Sequence, residues 1–179
     1  MKRIVWDHEE CTGCRVCEAV CSLTKSNYQE LNPVKARCRI VRTSTGGFVT
    51  NTRVSCLQCE DAYCMDVCPV GAISKNTLGV NIVDEEVCIG CKMCEMACPV
   101  GAISVSKETG VSQKCDQCLD LEEPACVSFC FVEALHYLDD AKIGAWLARK
   151  KAGKFAEMER KEFETTLKLQ KGGELHGNI

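Results

Sequence analysis

The chain has 179 residues, 17 of them cysteine, with a formal charge of −3 and only 6% aromatic content. That length allows one compact domain or two small ones; the charge leaves no basic footprint for nucleic acid, and no apolar run approaches the length of a bilayer span. So high a cysteine fraction marks a disulfide scaffold or a metal protein, and the odd count, the repeating spacings and the lack of room for an apolar signal segment before Cys11 argue for the metal protein.

Free thiolates in such number imply a reducing compartment, so the expectation is a cytoplasmic protein. The apolar fraction of 46% includes the cysteines, which leaves a thin ordinary core. Metal–thiolate bonds are then expected to supply much of the folding energy.

The chain opens on a short alternating strand at Ile4–Trp6 and runs straight into the first cysteine motif, Cys11, Cys14, Cys17 and Cys21, spaced C-x2-C-x2-C-x3-C. Residues 22–55 form an insertion. Within it ARCRIVR (36–42) and GFVTNTRV (47–54) alternate polar and apolar residues around a Gly-Gly turn signal, which predicts a β-hairpin. Cys38 lies in the first of these strands without a CxxC partner and reads as a buried structural thiol.

The second motif is Cys56, Cys59, Cys64 and Cys68, spaced C-x2-C-x4-C-x3-C and followed by Pro69. A strand at Val80–Val83 leads into the third, Cys88, Cys91, Cys94 and Cys98, which has the first spacing and is followed by Pro99. The fourth is Cys115, Cys118, Cys126 and Cys130, spaced C-x2-C-x7-C-x3-C. CPVGAIS occurs at 68–74 and again at 98–104, and residues 130–135 are a weaker copy with Phe131 in place of proline. IVWDHEECTGC (4–14) likewise resembles IVDEEVCIGC (82–91). Each unit reads as short strand, cluster loop, turn of helix and second short strand. Gly71 and Gly101 let the chain turn tightly after the short helix.

Three cysteines within about seven residues let one loop hold three corners of an iron–sulfur cube. The fourth, one step further, sits where the chain leaves into a helix and points to a neighbouring cube, the cross-ligation of two-cluster ferredoxins. Pro69 and Pro99 suit that exit. CIGCKMCEMACP at 88–99 matches the bacterial ferredoxin run without a gap. Zinc is the alternative at the looser second and fourth motifs, because two CxxC pairs suffice for a closed tetrahedral site. A Rieske centre needs histidine ligands, and His8, His136 and His176 have no paired spacing with the motifs. Val16, Ile89, Met93 and Met96, beside the cysteines, are expected to keep the cubes dry. Four oxidised cubes bring the charge to about −11, which favours basic docking partners.

Residues 139–171 are rich in Ala, Lys, Glu and Leu and read as helix, with Ile143, Trp146 and Leu147 on one face. Gly153 is a candidate break and Gly172-Gly173 a stop. Arg149, Lys150, Lys151 and Lys154 read as a solvated face or a grip on a partner. Glu133, Asp139 and Asp140 are assigned a capping or solubility role.

These motifs and the hairpin after the first resemble, over about residues 3–138, the four-cluster iron–sulfur subunits of the dimethyl sulfoxide reductase type. Similar small subunits serve formate dehydrogenases, hydrogenases, carbon monoxide dehydrogenase, tungsten aldehyde oxidoreductases and class II benzoyl-CoA reductase. The resemblance implies an α+β fold of two ferredoxin-like modules with small antiparallel sheets, a hairpin insertion and a C-terminal helical tail. It divides the chain into a cluster domain at 1–138 and a tail at 139–179. One module takes 1–35 and 111–138, the other 50–110, and the hairpin 36–54.

The resemblance also implies that the first motif pairs with the fourth and the second with the third, whereas spacing alone equally permits pairing in sequence order. One cluster then takes Cys11, Cys14, Cys17 and Cys130, and its neighbour Cys115, Cys118, Cys126 and Cys21. A third takes Cys56, Cys59, Cys64 and Cys98, and the fourth Cys88, Cys91, Cys94 and Cys68. The chain departs from the family in lacking proline after Cys21 and Cys130.

The function this implies is a non-catalytic subunit that conducts single electrons through four [4Fe–4S] clusters, in a hetero-oligomer without a membrane span. It would connect a catalytic oxidoreductase subunit to a soluble or complex-bound carrier. From size and the pattern CxGCRxCExxCS, that subunit is expected to carry a tungsten or molybdenum cofactor and to be of the aldehyde ferredoxin oxidoreductase type. The alternatives are a free polyferredoxin shuttle and a subunit of a carbon monoxide dehydrogenase, hydrogenase or formate dehydrogenase. An enzyme in its own right lacks support: there is no nucleophile–base pair, no phosphate loop and no motif short of a cysteine. A redox sensor needs labile thiols, and sixteen committed ligands leave only Cys38.

Overall fold

The computed structural model describes residues 1–173, with side chains through residue 168. Its contacts separate Met1–Asp139 from the segment that starts at Asp140.

The first unit has no extended sheet. Its eight strands form four antiparallel pairs. β1 (Lys2–Trp6) pairs with β8 (Leu135–Asp139), in register Trp6↔Leu135 to Lys2↔Asp139, which joins the two ends of the unit. β2 (Cys38–Thr45) and β3 (Phe48–Ser55) are the expected hairpin, with the first strand running on to Thr45, closer to the turn than the alternation predicts. Gly46 and Gly47 both have positive φ, 58° and 85°, as a two-residue turn matched to strand twist requires. The base of the hairpin is buried through Cys38, Ile40 and Ser55, and its tip is exposed. β4 (Ile73–Lys75) pairs with β5 (Asn81–Val83), and β6 (Ile103–Val105) with β7 (Ser112–Lys114). β7 therefore sits with the strand that follows the third motif, beyond the expected boundary at 110/111.

Four helices carry cysteines: α1 (Val16–Lys25), α2 (Tyr63–Asp66), α3 (Met93–Ala97) and α4 (Ala125–Ser128). α1 packs on α4, α2 packs on α3, and β5 lies against β7. Few large apolar side chains are buried. Apart from alanine and cysteine, the buried hydrophobics are Ile40, Ile73, Val80, Ile103 and Leu135 among the described residues. The largest fully buried side chains include Gln58, Asn81 and Ser22, which are polar. The fold is arranged around thiols more than around an oily core.

The internal repeats have a physical cause. In both CPVGAIS copies the glycine, Gly71 or Gly101, has φ 65°, and the following amide, Ala72 or Ala102, donates to the cysteine Sγ four residues back at 3.3 Å. The same turn recurs at Cys130, where Glu133 holds φ 52° and donates its N–H to the Cys130 carbonyl. The matching lead-ins do the same work as each other: Asp7 and Asp84 each accept from the amide two residues on, and each donates an N–H to the alanine carbonyl of one turn, Ala134 or Ala72. A left-handed conformation costs an L-residue about 1–2 kcal/mol. Glu133→Gly is therefore expected to stabilise the unit by about 1 kcal/mol, read as a higher urea midpoint under anaerobic conditions. An unchanged or lower midpoint would contradict this.

The second unit, as far as it is described, is α5 (Asp140–Gly173). Gly153 does not interrupt it. One glycine costs only about 1 kcal/mol in a helix of good formers, less than ending the hydrogen-bond ladder there. Asp140 supplies the acidic first turn. Surface pairs at i,i+4 spacing, Glu157–Lys161 at 2.8 Å and Glu164–Arg160 at 3.8 Å, run along it. In the basic run Arg149 and Lys151 are exposed, and Lys150 lies over the Trp146 ring at 5.9 Å. His176 lies outside the described residues. No helix of the described residues is long and apolar enough to cross a membrane.

Candidate iron–sulfur centres

In all four motifs the residue before the second cysteine has a positive φ: Gly13 72°, Gln58 53°, Gly90 65° and Gln117 62°. This conformation turns successive N–H groups to the inside of the loop, where a concave anion site forms. In the first and third motifs Arg15 and Lys92 repeat it at the start of α1 and α3. The sequence carries this signal in CTGC, CLQC, CIGC and CDQC, where glycine and glutamine alternate at one position, a pattern that cysteine spacing alone passes over. Gln58 and Gln117 are buried at 1% and 3% exposure.

Backbone space is tight in the third loop. A Cβ on Gly90 would stand 2.1 Å from the Gly110 carbonyl oxygen, whereas one on Gly71 would meet nothing within 4 Å. Gly90→Ala is expected to cost about 3 kcal/mol, strain plus overlap, and Gly71→Ala about 1–2 kcal/mol, strain alone. Anaerobic unfolding of the two variants checks the order, and equal losses would contradict it.

Three cavities collect cysteines. The first is lined by Cys11, Cys14, Cys17 and Cys130, with Trp6, Val16, Ile40, Val132 and Leu135 as apolar wall. The second is lined by Cys21, Cys115, Cys118 and Cys126, with the non-motif Cys38 beside them. The third is lined by Cys56, Cys59, Cys64 and Cys98. Their spaces, mouths included, are ≈ 360, ≈ 310 and ≈ 410 Å³. Each cavity takes cysteines from two motifs.

Cys68, Cys88, Cys91 and Cys94 line none of these three. Ser112 links two of them: its amide donates to Cys88 Sγ at 3.3 Å and its hydroxyl lies 3.1 Å from Cys94 Sγ. Cys94 packs with Ile73 and Ile103. Of the four apolar residues expected to cover the clusters, only Val16 lines a cavity. Ile89, Met93 and Met96 are 64%, 43% and 73% exposed. α3 is barely more than one turn and buries Cys94, so Met93 and Met96 are left outward, while Ile89 is exposed on the loop before it. His8 and His136 line none of the three cavities.

The surroundings of the sulfurs are rich in donors. Arg37 N–H donates to Cys21 Sγ at 3.2 Å, and Arg53 Nη2 lies 3.7 Å from Cys126 Sγ. Arg53 reaches from β3 to line both the first and the second cavity. Neighbouring thiolates raise the affinity of its guanidinium for its proton despite burial. Glu18 of α1 accepts from Ile40 N–H and Asn51 donates to the Cys11 carbonyl, so the hairpin base is bolted onto the first loop.

Cys38 is buried at 3% exposure, as expected. Its position between two predicted ligands was not foreseen. Its thiol donates to the Cys17 carbonyl at 3.6 Å and faces the Cys17 and Cys21 sulfurs. Its hydrogen bonding brings those two thiols down to about 7 and about 6, and drives Cys38 itself far upward. Burial pushes Cys126 up to about 12 and also raises Cys115 and Cys118. Metal binding in the second cavity would therefore release protons from Cys115, Cys118 and Cys126.

Lys25 and Asp116 tie α1 to the fourth motif at 2.7 Å. Burial opposes both charges, yet their hydrogen bond outweighs it, leaving the carboxyl below and the ammonium above the ordinary value.

These residues fit a [4Fe–4S] group. The motif donors are all sulfur, and each cavity brings together four of them from two motifs, with Cys38 beside the second set. Among the described residues no three His, Cys, Asp or Glu side chains converge on a single point as zinc would require.

Residues 48–140 match the family described as "4Fe-4S dicluster domain", and residues 8–28 match "4Fe-4S binding domain". The chain belongs to the 4Fe-4S dicluster domain family, a class of iron–sulfur electron-transfer proteins. It is similar to the B subunit of the anaerobic dimethyl sulfoxide reductase of Escherichia coli (strain K12), 37% identical over 73% of this protein and 70% of that one. It is also similar to the thiosulfate reductase electron transfer subunit PhsB of Salmonella typhi, 34% identical over 80% of each. A solved structure, the active site complex BamBC of benzoyl coenzyme A reductase with benzoyl-CoA, aligns at a TM-score of 0.46 and 23% identity over 92% of this chain and 97% of that one.

Proposed function

We propose that the chain is the electron-conducting subunit of a cytoplasmic oxidoreductase complex and holds four [4Fe–4S] clusters in two interlocked pairs. The observation that carries the reading is the cavity lining: three separate spaces, each walled by four motif cysteines drawn from two motifs, with Cys38 as a fifth thiol in the second. In this reading Cys11, Cys14, Cys17 and Cys130 hold one cluster, and Cys115, Cys118, Cys126 and Cys21 its neighbour. Cys56, Cys59, Cys64 and Cys98 hold a third, and Cys88, Cys91, Cys94 and Cys68 the fourth.

When bound, such clusters supply reversible one-electron transfer at potentials set by hydrogen bonds to sulfur and by solvent exposure. The chain's own residues supply the rest. Backbone amides of Ala72, Ala102, Ser112 and Arg37 point at cysteine sulfurs and favour added negative charge. Trp6, Ile40 and Leu135 keep water from the first cavity. All five cysteines of the second cavity are buried, whereas Cys14 of the first and Cys91 of the remaining set are exposed. That gradient supports electron entry and exit at the first and fourth sets, with the second set insulated and the third half-buried.

The partner in this proposal is a catalytic oxidoreductase subunit, and the relatives named as parts of dimethyl sulfoxide and thiosulfate reductases support that class. A tungsten or molybdenum cofactor, and the aldehyde ferredoxin oxidoreductase type in particular, rests on the family resemblance. A free shuttle between enzymes is the competing reading. Anaerobic isolation from the native host decides between them: a stoichiometric catalytic subunit with tungsten or molybdenum is expected, a nickel enzyme would replace the partner, and a lone chain would favour the shuttle.

A further inference from the structure

Lys114 ends β7 and is 5% exposed. Its Nζ lies 3.5 Å from Cys56 Sγ and 3.3 Å from the Cys115 carbonyl, and also donates to the Asn81 carbonyl. It lines the cavity of Cys56, Cys59, Cys64 and Cys98, while the next residue, Cys115, lines the cavity of Cys21, Cys118 and Cys126. Two further buried side chains complete the junction. Gln58 donates from Nε2 to the Cys115 carbonyl at 2.8 Å and accepts from Asn81 N–H at 2.9 Å. Asn81 donates from Nδ2 to the Cys59 carbonyl at 3.0 Å. The Cys115 carbonyl thus receives hydrogen bonds from Lys114 and from the Cys56–Cys59 loop.

We propose that Lys114 sets the reduction potential at the Cys56–Cys59–Cys64–Cys98 site and so fixes the energy step between the two cluster pairs. This rests on the functional reading above and adds a residue to it. When one electron arrives, the negative charge beside the lysine grows by one unit. A buried cation in contact with one thiolate is poorly screened and favours that state. The effect is local, because Lys114 touches the sulfur of one site only, and Arg53, the other side-chain cation in contact with a cysteine sulfur among the described residues, serves the first two cavities. Two buried side chains hold the ammonium's carbonyl acceptors in place: Gln58 is paired at both ends, and Asn81 is anchored through Nδ2 while its Oδ1 has no partner.

The test is potentiometric EPR on the anaerobic, fully loaded chain, comparing wild type with Lys114→Met and Lys114→Arg. Lys114→Met is expected to lower one midpoint so that its reduced-to-oxidised ratio at fixed potential falls at least tenfold, which is 59 mV for one electron. The other midpoints stay, and Lys114→Arg restores the shifted one. The shifted signal is assigned by its absence in Cys64→Ala. Unchanged midpoints in an iron-replete Lys114→Met, or an equal shift of every signal, would overturn the proposal while leaving the functional reading intact. Should Lys114→Met not retain iron, wild type labelled with 15N-lysine decides: a nitrogen hyperfine coupling on the signal missing from Cys64→Ala is expected, and no coupling there overturns it. A wild type without iron would instead overturn the functional reading.

Discussion

Removing iron from the native protein with a chelator under reducing, anaerobic conditions is expected to unfold Met1–Asp139. Ordering each residue costs about 1–2 kcal/mol of backbone entropy, and burial of a large aliphatic side chain returns only about 1.5–3 kcal/mol. Five such side chains are buried here, four of them on strands of three to eight residues that pair only in twos. Around the cavities, emptying the sites would bring thiols together with Arg53 and Lys114 and leave no group to bind. Metal binding in such a chain is folding free energy. Circular dichroism and amide exchange should therefore show loss of strand signal and protection throughout the unit, in step with iron release. A chelated chain that keeps its protected amides would show that the core suffices without iron.

The second large effect concerns which cysteine belongs to which site. Cys21 follows Cys17 on α1, yet lines the cavity of Cys115, Cys118 and Cys126. Substitutions at one site act as a unit, and those at separate sites add. Cys21→Ala is expected to lower iron from about sixteen to about twelve atoms per chain. Adding Cys115→Ala should then remove no more, whereas adding Cys11→Ala should bring the content to about eight. Iron assay and the count of EPR signals check this. The reverse pattern, additive with Cys115→Ala and not with Cys11→Ala, would mean that each motif keeps its own fourth cysteine.

What the sequence disclosed was local. Cysteines a few residues apart, a Gly-Gly turn between alternating strands and a twice-written CPVGAIS all encode structure within a dozen residues. The hairpin and the paired turns follow from them. What it concealed was long-range. Gln58 and Cys115 are 57 positions apart, and Lys114 and Cys56 are 58 apart. Lysine and glutamine in sequence read as surface, and only the packing of β5 against β7 takes them inside. Cys38 was legible as buried but not as the neighbour of Cys17 and Cys21, because that contact depends on how the hairpin base docks on α1. Ile89, Met93 and Met96 lie beside cysteines yet are exposed, because adjacency in sequence does not set direction: Ile89 is on the loop before α3, and a helix of five residues has too few turns to define an inner face. Gly153 was overweighted as a break, because helix propensity is a weak prior against a long run of good formers.

Thiolates enclosing iron–sulfide clusters are the central claim, and anaerobic protein from the native host tests it most directly by paired iron and acid-labile sulfide assays with EPR of the reduced state. The expected result is about sixteen iron and sixteen sulfide per chain with signals of reduced [4Fe–4S] groups. Zinc in place of iron, or a colourless protein with neither, would contradict it.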